Sequence, residues 1–79
     1  MHDDEKLRAL EAQAEDAYAA MYDAPNSTAA AARYSDAKEA LYDAIGLAHR
    51  LGEADVATRL EARLAHIKAV FRSQFAGLG

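Results

Sequence analysis

The side chains able to do chemistry are few, and their spacing decides what they can do. Three histidines occur, His2, His49 and His66. A zinc or di-iron site built on helices needs ligands one turn apart on one face. No His-x-x-x-His or Glu-x-x-His pair is present. The histidines therefore read as surface residues, and His49 suits the C-terminal end of a helix, where its charge opposes the dipole. Cysteine is absent, which removes thiol nucleophiles, disulfides and cysteine-based zinc sites. Ser27, Ser35 and Ser73 lack a nucleophile-elbow context, and no glycine-rich phosphate loop exists. Ser27 reads better as a helix cap. Glu11 and Glu15, and Glu39 and Asp43, are carboxylate pairs one helical turn apart. Acid–base work would need a pocket that drives their pKa values apart. An alanine-rich chain of 79 residues has little room for one. No catalytic residue, metal or cofactor is expected.

Two constellations remain. Arg59 and Arg63 lie one turn apart and form a short basic stripe with His66, while Lys68 and Arg72 fall elsewhere around the same segment. Phosphate tracking needs more positive charge than this, and the chain carries a net charge of −4. The second constellation is Tyr18, Tyr22, Tyr34 and Tyr42. Tyrosine suits half-buried edges and interfaces, where the ring packs and the hydroxyl reaches water. Together with Arg59 and Arg63, the four tyrosines make the candidate interaction surface.

The elements that must position these residues are helices. Apolar residues are 52% of the chain, but Ala supplies 21 of them. Pro is 1 and Gly is 4, and no strand pattern occurs. Leu7, Leu10, Ala14, Ala17, Met21 and Ala24 run at spacings of 3 and 4, the pattern of a helical seam. Asp3 or Asp4 is expected to cap this helix, and Pro25 to stop it at Ala24. Asn26 and Ser27 are candidate caps for a second helix. Its stripe is Tyr34, Ala37, Leu41, Ala44, Ala48 and Leu51, flanked by Ile45 and Leu47. So wide an apolar arc predicts contact with two neighbours. Gly52 ends the helix after His49 and Arg50. A third stripe follows at once: Val56, Leu60, Leu64, Ile67, Phe71 and Phe75. Asp55 favours its first turn, and Gly77 is its expected stop. The isolated Gly46 falls on the polar side of the second helix at a cost of ~1 kcal/mol.

These signals predict helices over 4–24, 28–51 and 54–76. The expected fold is an all-α, three-helix up-down-up bundle, a helical hairpin over 28–76 plus an N-terminal helix. Residues 1–79 form one small helical domain in this reading. The stretch Ala40-Leu41, Ala44-Ile45, Leu47-Ala48, Leu51-Gly52 loosely resembles a tetratricopeptide-type hairpin over about 40 residues. It lacks that repeat's aromatic and proline positions, and is read as generic helix packing. The expected core is Leu10, Met21, Leu41, Ile45, Leu60, Leu64, Ile67 and Phe71.

Charge is distributed unevenly. Residues 1–27 carry two basic and seven acidic groups, and residues 53–79 four basic and three acidic. In an up-down-up bundle the first and third helices are parallel. At ~1.5 Å per residue, Glu11 and Glu15 then stand level with Arg59 and Arg63. The acidic stripe is expected to face the basic one, within a chain or across a dimer.

No run of 18 apolar residues occurs, so no membrane span is expected. The acidic stretch Met1 to Glu5 does not read as a signal peptide, and the protein is expected in the cytoplasm. The function expected is non-enzymatic: a small helical protein–protein interaction or adaptor module. Its partner is another protein or a second copy, a homodimer being the simplest case because it adds burial to a small core. The alternative is a nucleic-acid-associated regulatory protein using the basic stripe of the third helix, a partner class the net charge disfavours.

Overall fold

The computed structural model describes residues 2–75. They form three helices: α1 (His2–Tyr22), α2 (Ser27–Arg50) and α3 (Ala54–Gln74). α2 packs against both α1 and α3, as its wide apolar arc predicts. The fold is an all-α three-helix bundle measuring 41 × 19 × 13 Å. No strand occurs among the described residues.

Local chemistry sets each helix end. α1 begins at His2, so Asp3, Asp4 and Glu5 occupy its first turn instead of capping it. There their charge opposes the positive end of the helix dipole. The helix closes at Tyr22, two residues before the expected Ala24. Its last amides tighten onto carbonyls three residues back: Asp23 N donates to Ala20 O at 3.1 Å, and Ala24 N to Met21 O at 3.4 Å. Pro25 bars Ala24 from continuing the α conformation. Asn26, with extended backbone, is the cap of α2, its Oδ1 accepting from Ala29 N at 2.8 Å. Ser27 is the first helical residue and not the cap.

The α2–α3 link is a Schellman turn. Gly52 N donates to His49 O at 3.1 Å and Glu53 N to Ala48 O at 2.8 Å. Gly52 has φ +73°, a conformation costly for any residue with a Cβ. Asp55 sits in the first turn of α3, while Glu53 occupies the cap position without a side-chain bond to the helix. α3 is described to Gln74, and the expected stop at Gly77 lies outside the described residues.

Half of the buried apolar positions are alanines: Ala14, Ala30, Ala37, Ala40, Ala44, Ala48 and Ala57. The large buried side chains are Leu7, Met21, Leu41, Leu47, Leu60, Leu64 and Ile67. Five of the eight expected core residues are thus buried. Leu10, Ile45 and Phe71 are only half-buried. Leu10 lines the outer groove between α1 and α2, Ile45 packs on the flank of the core, and Phe71 sits at one end of the bundle between two aromatic rings. Leu7 and Leu47 take their places inside.

Candidate interaction surface

The seam between α1 and α3 is built from long side chains. The two helices approach each other less closely than either approaches α2. Glu and Arg therefore span the gap. Arg59 Nη2 lies 2.9 Å from Glu11 Oε1. Arg63 grips Glu15 with two bonds, Nε to Oε2 at 2.8 Å and Nη2 to Oε1 at 2.6 Å. This fork-to-carboxylate geometry is the strong form of the pair. The acidic stripe of α1 thus meets the basic stripe of α3 within one chain, at the heights that parallel helices impose. The Arg63 hydrogen bonds hold the Glu15 carboxyl below its ordinary value, against a smaller opposing effect of burial. The same bonds raise Arg63.

Beyond the ion pairs the seam turns aromatic. Arg63 lies over the ring of Tyr18, 4.9 Å from its centroid. Tyr18 meets Tyr22 edge to face, and their hydroxyls are 3.1 Å apart. That hydroxyl contact, helped by burial, raises the Tyr18 phenol above its ordinary value. Tyr18 also meets His66, and Tyr22 meets Phe75. On the other side of the same end, Tyr34 stacks on Phe71 at 3.9 Å with the rings parallel, and Phe71 stacks on Phe75. Phe75 therefore links Tyr22 to the Tyr34 stack. Three of the four tyrosines share one aromatic cluster where α1 ends and α2 begins.

Tyr42 stands apart. It projects from α2 toward α3, where Lys68 Nζ donates to its hydroxyl at 2.9 Å. That bond lowers the Tyr42 phenol and raises the Lys68 ammonium. Tyr22 and Tyr42 are the large apolar side chains left exposed among the described residues, at 49% and 53%. Lys38 sits over the Tyr34 ring, 4.5 Å from its centroid. Lys38 and Lys68 lay outside the six-residue candidate surface. The signal for Lys38 was present, since it is four residues from both Tyr34 and Tyr42 on α2, whereas Lys68 meets Tyr42 only through the packing of α3 on α2.

The histidines do not gather. His66 packs at the edge of Tyr18, while His49 Nε2 lies 3.7 Å from Glu61 on the α2–α3 side. No group of three or more His, Cys, Asp or Glu among the described residues is placed to hold a metal ion. No described helix is long and apolar enough to cross a membrane. Buried side-chain nitrogen or oxygen atoms without a partner are absent among the described residues. The carboxylate pair Glu11 and Glu15 is occupied with arginines. Glu39 and Asp43 line an open groove with Asp16 and Asp36. Compared with known proteins, the chain matches no family model, no curated protein and no solved structure.

Proposed function

We propose that this chain is a non-enzymatic helical module that works by binding another protein, in the cytoplasm. The observation that carries this reading is the pair of exposed tyrosines. Tyr22 and Tyr42 are half out of the protein, yet each is already held by neighbours, Tyr22 by Tyr18 and Phe75 and Tyr42 by Lys68. A rigid aromatic side chain loses little freedom on binding and buries a large area. Such residues dominate protein interfaces. The simplest partner is a second copy of the chain.

A nucleic-acid role for the Arg59–Arg63 stripe finds no support, because both arginines are spent on Glu11 and Glu15. The test compares the wild-type chain with Tyr22→Ala and Tyr42→Ala. Measured masses of complexes formed in solution, and proteins captured from lysate by each form, are the readouts. A complex that weakens at least tenfold in one tyrosine variant supports the proposal. Undiminished complexes in both variants, or a folded monomer that captures nothing, would overturn it.

A further inference from the structure

The outer face of α2, turned away from both neighbours, carries its charge in two strips. On the α1 side Asp36, Glu39 and Asp43 line the groove between the helices together with Asp16 of α1. Arg33 shares that groove and pairs with Asp36 at 3.4 Å, and Lys6 and Arg50 border the adjoining groove beside Asp43, so the four carboxylates outnumber the cations by one. On the α3 side stand Lys38, Lys68 and Arg72. Lys38 covers Tyr34 and Lys68 bonds Tyr42. None of these three cations forms an ion pair among the described residues. Glu61, farther along the same edge, is engaged with His49. Between the strips runs a midline of small residues, with Ala31 and Ser35 exposed and Gly46 half-buried, flanked by Tyr42 and, beside Gly46, by Arg50.

The two strips are level with each other. α3 runs antiparallel to α2, since Lys68 meets Tyr42 and Phe71 stacks on Tyr34. Arg72, one turn beyond Lys68, therefore stands beside the segment of α2 that holds Lys38. The cations span the heights of residues 38 to 42 of α2, and the carboxylates those of residues 36 to 43.

We propose that this face binds the same face of a second copy, about a two-fold axis parallel to α2. The proposal rests on the interaction-module reading above and names its partner. Rotation about such an axis preserves height along α2 and exchanges left for right. The acidic strip of each copy then lies over the basic strip of the other, and the two α2 helices run parallel. A two-fold axis across α2 would set acid on acid and base on base. The small midline lets the backbones approach, and each copy contributes one Tyr42 ring to the contact. An isologous pairing of this kind closes at two copies.

Sedimentation equilibrium on the full chain tests it. At low salt the wild type is expected at twice its 8.5 kDa mass. Raising salt from ~20 mM to ~500 mM should weaken the dimer about tenfold, because rim charges are screened. The variant Lys38→Glu/Lys68→Glu has two acidic strips, and Glu39→Lys/Asp43→Lys has two basic ones. Each alone should be a monomer, and an equimolar mixture should restore the dimer, with circular dichroism showing that both are helical. If a double variant fails to fold, Lys68→Glu with Asp43→Lys replaces the pair. The chain has no cysteine, so Ser35→Cys reports the axis directly. Ser35 lies on the midline, and mild oxidation should link two copies through it. A wild-type monomer at high micromolar concentration and low salt overturns the proposal. So does a dimer that ignores the charge exchange, or one that Ser35→Cys fails to link. A monomer whose basic strip instead binds a DNA oligonucleotide in a salt-sensitive way overturns it as well. Loss of a captured protein in Tyr22→Ala by a monomeric chain would end this pairing while leaving the interaction module standing.

Discussion

A single arginine–glutamate fork does more to orient this bundle than to stabilise it. Glu15 and Arg63 are partly exposed, at 47% and 36%, so solvent and salt weaken their attraction. The coupling between Glu15→Gln and Arg63→Gln in a double-mutant cycle is expected at about 0.2–1 kcal/mol at low salt. Additive effects would show that the fork contributes nothing to stability. The glycines make opposite predictions. Gly52 holds φ +73° with nothing within 4 Å of where a Cβ would stand, so Gly52→Ala meets backbone strain alone. A loss of about 1–2 kcal/mol in a urea melt is expected. Gly46 is helical, and a Cβ there would lie 3.5 Å from Arg50 Nη1, an ordinary contact. Gly46→Ala should therefore raise stability by roughly 0.5–1 kcal/mol. A destabilised Gly46→Ala chain would mean that the close approach across the α2 midline matters more than helix propensity.

Helix pairs differ in what holds them. α1 and α2 pack closely, and the core cluster they share holds small residues, Ala14 on one and Ala40 and Ala44 on the other. α1 and α3 meet through ion pairs and ring edges. That seam is the part of the fold that pH can loosen. Glu15 titrates below its ordinary value of 4.5 because the folded state favours its charge. Its contribution is fully present above that value and is lost as pH falls through the lower folded-state value. The stability difference between wild type and Glu15→Gln should thus be constant near neutrality and shrink as pH falls below 4.5 and through the lower folded-state value. Urea melts across that range check it. A difference that persisted at pH 2 would show that Glu15 acts through packing and not through charge.

The whole molecule rests on few large side chains. Seven buried leucine, methionine and isoleucine residues share the interior with seven alanines. Each large one therefore carries an unusual share of the burial, and the total stability of a chain this size is about 4–12 kcal/mol. Ile67 is fully buried, so Ile67→Ala is expected to cost about 2–5 kcal/mol. Phe71 is half-buried at the end of the bundle, stacked on Tyr34 and Phe75. Phe71→Ala should cost less than Ile67→Ala in the same thermal melt. The reverse order would place the centre of stability at the aromatic end.

Much of this architecture was legible because helices announce themselves locally. Pro25, Asn26 and Gly52 act on their own neighbours, and stripes at 3 and 4 spacing name the inward face of each helix. The match of Glu11 and Glu15 with Arg59 and Arg63 followed too, because helical rise alone sets height once two helices are parallel. Which residues within a stripe are fully enclosed was not legible. Leu7 and Leu10 share one stripe, yet Leu7 is enclosed in the core while Leu10 borders the open groove between α1 and α2. Nor did spacing along one helix separate Tyr42 from Tyr34. That difference comes from α3, which offers Phe71 to one and Lys68 to the other. The two charged strips of α2 are likewise a tertiary product. Lys68 and Arg72 join Lys38 only because α3 folds back beside α2, at a rotation about its own axis that the side-chain packing between the two helices sets and that rise per residue does not.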